Sequence, residues 1–202
     1  LSTTHDKPRE HRFRIHPYAG RDVPDSSVKF ESYGAHVQRK KAGMHMHIRS
    51  TQGTVRQEEP PHKKHQVPHV HKVEGKVADH VVCDSVVSAV APQFLTVFAP
   101  YKNNAPPSSL EGELKVTSVD CGEDAAGWLI QTTQGTDFAW LRGPNAKTTV
   151  KLTDGTAETD AAFALFSLDG KMALISRGKK LTWKGKAILE KDARSSVAKK
   201  ET

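Results

Sequence analysis

Residues 92–102, PQFLTVFAPYK, form the most apolar run in the chain. The β-branched and aromatic residues predict a buried β-strand that ends at a proline. This run divides a His-rich, basic, irregular first half from a second half of short alternating segments. Reading outward from it decides the fold class.

On the C-terminal side, short strands are expected over 114–119, 127–133, 136–141, 148–152, 159–168, 171–176, 181–183 and 187–190. Gln134-Gly135, Asp154-Gly155, Asp169-Gly170 and Gly185 fall between these runs. Asp-Gly between alternating runs is a hairpin signal, because glycine accepts the positive φ that tight turns need. Strands at roughly ten-residue spacing predict a β-sandwich or barrel and argue against a helical domain.

On the N-terminal side, HRFRIH at 11–16 has period two, with Phe13 and Ile15 on one face and Arg12, Arg14 and His16 on the other. Residues 28–40 alternate too, but their parity switches, which predicts a bend or bulge near residues 32–34. Met44, Met46 and Ile48 alternate with His45, His47 and Arg49. Residues 80–88 and 93–99 complete the expected strands. Residues 51–72, with Pro60, Pro61 and Pro68, read as a long polar loop or an extended edge segment. Residues 1–10 read as a flexible lead-in, 11–191 as one β-sandwich domain and 192–202 as a disordered tail.

The chain has 202 residues, enough to bury a hydrophobic core without disulfides. It contains no apolar run long enough for a membrane-spanning helix. It begins at Leu1 with no signal-peptide pattern, as expected of a mature product or a piece cut from a longer polypeptide. Formal net charge is +7 with histidine neutral. Residues 1–102 hold 16 Lys and Arg against 10 Asp and Glu, and the remainder 14 against 13. The excess sits on the His-rich half and favours an anionic partner, against the plainer reading of a solvated basic face. Cys83 and Cys121 show no metal-ligand spacing; Cys83 reads as a small core residue, and a bridge between the two is not deducible.

All eleven histidines lie between residues 5 and 80. His45/His47 and His69/His71 are His-x-His pairs. On a strand each pair points to one side and offers two imidazoles to a metal ion, provided Asp79, His80 or His36 supplies a third ligand. The plainer reading makes His45 and His47 the polar face of an amphipathic strand. The aromatics Trp128, Trp140, Trp183, Phe94, Phe98, Phe163 and Phe166 sit within expected strands and read as core rather than sugar platforms. No phosphate-binding glycine loop, nucleophile elbow or carboxylate pair appears, so nucleotide hydrolases, esterases and glycosidases have no support. The basic run Arg39-Lys40-Lys41, with Lys63-Lys64, lacks the signatures of a nucleic-acid reader.

Taken in order, HRFRIHP (11–17), ESYGAHVQ (31–38), QFLTVFAPYK (93–102), GWLIQTT with DFAWLR (127–142) and AFALFSLDGKMALISRGKKLTWKG (162–185) resemble the C-terminal β-sandwich of the heparinase II/III-like polysaccharide lyases. The resemblance runs over most of residues 10–190. It implies an all-β, two-layer antiparallel β-sandwich, supersandwich-like, with few or no helices. It also implies an N-terminal helical toroid on the same parent chain and a secreted or periplasmic lyase acting on acidic polysaccharide by β-elimination. Arg14 and His16 become the expected substrate contacts, Arg14 because a planar fork binds both oxygens of a carboxylate. Zinc becomes the metal expected at His45 and His47. The family's Gly-His-x-His-type segment is missing, so this portion is expected to lack turnover by itself. The other readings are a stand-alone carbohydrate-binding module and a basic nucleic-acid- or metal-binding β-protein.

Overall fold

A computed structural model describes residues 7–17, 19–20, 23–60, 71–73, 76–78, 81–102, 114–190 and 197–200. Among these residues all regular structure is β, in five antiparallel sheets. The chain divides into two compact units: residues 1–48, 54–90 and 96–110, and residues 49–53, 91–95 and 111–202.

The first unit is a small sandwich. One layer has the order β1-β8-β5, with β1 Arg9–Ile15, β8 Cys83–Ala89 and β5 Arg56–Glu58. The other has the order β2-β3-β4-β9, with β2 Ser26–Glu31, β3 Gly34–Arg39, β4 Ala42–Ser50 and β9 Phe94–Lys102. The alternation of each strand sends one row inward. Phe13 and Ile15 of β1, Cys83 of β8, Val28 and Phe30 of β2, Ala35 of β3 and Met46 of β4 make one apolar cluster with Val81. A two-stranded ribbon, β6 His71–Val73 and β7 Lys76–Ala78, is also present.

The bend expected near residues 32–34 is a tight hairpin turn, without a bulge. Glu31 pairs with Gly34, so Ser32 and Tyr33 are the turn, and the next strand presents the opposite parity inward. The run at 92–102 is not a fully buried strand and does not stop at Pro100. β9 is an edge of its sheet, reaches Lys102 and leaves Phe98 46 % exposed. An edge strand tolerates proline because one side of its backbone has no ladder to complete. Within the stretch read as a polar loop or edge segment, β5 pairs with β8 as an edge strand.

The second unit is a larger sandwich. One sheet has the order β10-β11-β12-β15-β16-β19, formed by Leu114–Val119, Ala125–Thr132, Gly135–Arg142, Phe163–Ser167, Met172–Ser176 and Val197–Lys200. The other has the order β13-β14-β17-β18, formed by Thr149–Leu152, Gly155–Thr159, Lys180–Trp183 and Lys186–Glu190. Residues 197–200, expected in a disordered tail, pair with β16 instead. Both faces contribute to one core. Phe138, Trp140, Phe166 and Ile175 come from the first sheet, and Leu181, Trp183 and Leu189 from the second. Phe138 meets Phe166 edge-on with centroids 5.7 Å apart, and Phe166 lies 5.7 Å from Trp183. The Trp readings hold, since Trp128, Trp140 and Trp183 are buried. Between β17 and β18, Lys184 (φ 53°) and Gly185 (φ 75°) form a two-residue turn with both central residues left-handed. Cys83 and Cys121 are buried, unbridged and in separate units.

Candidate functional site

The face of the β2-β3-β4-β9 sheet opposite the core carries polar side chains. Register places them in two cross-strand rows. One reads Lys29, His36, His45 and the other Glu31, Gly34, His47. His36 and His45 are direct partners, and their rings stack with centroids 4.1 Å apart and planes 6° from parallel. His45 and His47, two apart on β4, have centroids 6.4 Å apart. Tyr33, from the hairpin turn, stacks on His47 at 4.6 Å.

Tyr101 of β9 closes the other end. Its ring lies 5.7 Å from His36 and 5.4 Å from His45, and its hydroxyl is 2.5 Å from His36 Nε2. Gly43 makes this possible. A Cβ at that position would sit 2.2 Å from the Tyr101 ring and hydroxyl. Five half-buried rings therefore form a continuous line, Tyr33, His47, His45, His36 and Tyr101.

Tyr33 with His47 and His36 with His45 stack face to face, Tyr101 lies tilted against the second pair, and the stacked pairs turn their edges outward. An imidazole edge carries nitrogen donors and acceptors, and a phenol edge carries a hydroxyl. Such a surface suits hydrogen bonding to hydroxyls and oxyanions better than stacking against a flat ligand. Burial, then the charge of His45, pushes His36 below the ordinary imidazole range. The same causes push His47 down to about 4. Burial pushes the Tyr101 hydroxyl up, so it keeps its proton at neutral pH. With His36 neutral, the Tyr101 O–H can donate to Nε2.

The expected metal pair His45 and His47 is thus placed on one face, joined by His36. Among the described residues no group of three or more His, Cys, Asp or Glu side chains is disposed to hold a metal ion. Stacking explains why: parallel rings set their nitrogens side by side instead of converging on a point. His69, Asp79 and His80 lie outside the described residues, and of His71 only the backbone is described.

Arg14 and His16 belong to the other layer. Arg14 forks onto both oxygens of Asp84, Nε to Oδ1 and Nη2 to Oδ2, each at 2.6 Å. Arg12 reaches Asp84 at 3.0 Å and also pairs with Glu10 and Glu58. Arg56 binds Glu10 at 2.6 Å. The carboxylate that Arg14 recognises is therefore the chain's own. Asp84 is fully buried. Burial alone would raise its pKa, but the guanidiniums of Arg14 and Arg12 outweigh it and hold the carboxyl below its usual range. His16 lies exposed just past the end of β1, on neither cross-strand row.

The sequence pointed to His45, His47 and His36, and nothing in it linked Tyr101 to them. The signal it lacked was long-range register, since Tyr101 and His36 are 65 residues apart. Neither a family model nor a curated protein nor a solved structure matches the chain.

Proposed function

We propose that the chain is the β-sandwich portion of a secreted or periplasmic uronate-polysaccharide lyase. In this reading it binds acidic glycan on the ring-lined face of β3 and β4, and a helical toroid on the parent chain supplies turnover. The observation that carries the binding role is the line of ring edges from Tyr33 to Tyr101. A uronate polymer offers hydroxyls and carboxylates at regular spacing, which imidazole nitrogens and a phenol hydroxyl can meet in a row. β-Elimination needs the carboxylate neutralised, a base for the C5 proton and an acid for the leaving oxygen. A neutral imidazole beside a protonated tyrosine hydroxyl belongs to that class of groups.

The order of the motifs also supports the family reading. HRFRIHP contributes to β1, ESYGAHVQ spans the β2–β3 hairpin and QFLTVFAPYK supplies β9. A stand-alone carbohydrate-binding module would use the same face. A nucleic-acid reading is disfavoured, because proteins that hold single strands offer open aromatic faces to the bases, and here Tyr33 stacks on His47 and His36 on His45. The test is binding of the purified chain to alginate and heparin oligosaccharides, with duplex DNA as comparator at matched salt. Glycan binding with little DNA binding is the expected result. Tighter binding to DNA, or none to either glycan, overturns the reading.

A further inference from the structure

We propose that the line of rings is a proton-gated anion site: its three imidazoles share one proton, and that proton draws in the oxyanion. The ligand's identity rests on the acidic-glycan reading above, whereas the gate rests on the geometry of the histidines and the charges around them.

Among the described residues, the fixed positive charge nearest these rings is the paired Lys29. On β2, Lys29 stands in the row of His36 and His45 but pairs with Glu31 at 2.8 Å. On β3 the next row, Ser27, Gln38 and Gly43, is uncharged. On β4, Arg49 donates to the carbonyls of Val119 at 2.6 Å and Gly127 at 3.5 Å. The titratable residues of β9 are Tyr101, whose hydroxyl meets His36, and Lys102 at the strand's end. Tyr33, in the turn, lies against His47. Neutral ring N–H groups and the Tyr101 hydroxyl can donate to an oxyanion at any pH, and the pH-dependent attraction in the centre of the line comes from an imidazolium.

The spacing limits how many there can be. His45 sits between the other two, 4.1 Å from His36 and 6.4 Å from His47. Its charge opposes a proton on either neighbour. Like charges so close in a half-buried setting titrate as a coupled unit, one proton entering and the next strongly resisted. An anion set against the ring edges would favour the charged form, so binding and protonation reinforce each other by linkage.

Two readouts on the intact chain test this. The first is an NMR titration of the histidine ring signals. The second is the affinity for an alginate oligosaccharide, and separately for inorganic sulfate, at about pH 5 and about pH 8 at fixed ionic strength. We expect His36, His45 and His47 to titrate together with a total uptake of about one proton above roughly pH 4.5. Alginate should bind at least about tenfold tighter in acid, and His45→Phe, which keeps a flat ring in the stack, should reduce that ratio to less than about twofold. Independent uptake of three protons overturns the gate, as does equal alginate affinity at both pH values; the latter leaves the glycan reading standing. If alginate and heparin oligosaccharides both fail at both pH values while sulfate perturbs the three rings only in acid, the glycan reading falls and the gate stands. If none of these ligands binds, both fall. The wild-type titration needs no variant, so misfolding of His45→Phe leaves the gate open to refutation.

Discussion

Tyr101 Oη and His36 Nε2 lie 2.5 Å apart although 65 residues separate them, because Gly43 leaves room for the Tyr101 ring. Gly43→Ala places a methyl group 2.2 Å from that ring and its hydroxyl. The ring must move, and the hydroxyl must leave His36. We expect a loss of about 1–3 kcal/mol in urea unfolding, as for an overpacked contact. Tyr101→Phe keeps the ring and removes only the hydrogen bond, so its loss should be nearer 1 kcal/mol. Equal stability of Gly43→Ala and wild type would contradict the placement of Tyr101.

The pH dependence of stability should carry the mark of His47. Burial and the charge of His45 push it down to about 4, against roughly 6.5 in the unfolded chain. Between these values the unfolded chain binds a proton that the folded one refuses. Stability is therefore intact above about pH 6.5 and falls as pH drops toward 4. Solvent reaching the half-buried ring discounts the full linkage value to about 1–2 kcal/mol. His47→Phe keeps a partner for Tyr33 and removes this proton. Denaturant unfolding at about pH 7 and about pH 4.5 should show the variant losing less stability than wild type across the window.

Asp84 should be the residue of the first unit least tolerant of a polar substitution. Its fully buried carboxylate faces two guanidiniums. Asp84→Asn leaves Arg12 and Arg14 opposed by a neutral group, and we expect a loss of about 3 kcal/mol. The folded-state pKa of Asp84 is depressed, so its contribution is present above the unfolded carboxyl value of roughly 3.9 and is lost as pH falls below it. That range lies below the His47 window, so an unfolding series over pH separates the two. A variant as stable as wild type would mean that the ion network contributes nothing.

Arg142 should play the corresponding part in the second unit. It donates to the carbonyls of Lys147, Thr159, Ala161 and Ala146 and lies over the Trp140 ring. Burial lowers its pKa. Arg142→Lys should destabilise by about 3 kcal/mol, since one ammonium has no planar fork to span those carbonyls. Thermal unfolding followed by tryptophan fluorescence measures this, and a loss below roughly 0.5 kcal/mol would refute the role.

Local chemistry made much of the second unit readable. Asp154-Gly155 and Asp169-Gly170 mark real hairpins, and FALFS and MALIS, apolar runs beside the second of these turns, are the strands it joins. The first unit was harder to read. Ser32 and Tyr33 make a two-residue turn without an Asn-Gly or Asp-Gly signature, so the sequence showed a bend or bulge there but not a hairpin. Without the hairpin, the register that sets His36 against His45 stayed hidden. The partner of Arg14 was hidden for a related reason: Asp84 lies 70 residues away and meets it only through pairing of β1 with β8. The apolar character of residues 92–102 pointed correctly to a strand but not to its edge position, which depends on which neighbours remain available.

The most direct test of the account is backbone and histidine-ring NMR of the chain during titration with an alginate oligosaccharide at about pH 5. The account predicts shifts concentrated at Lys29, Tyr33, His36, His45, His47 and Tyr101. Shifts concentrated at Arg12, Arg14 and Arg56, or in the strands of the second unit, would contradict it.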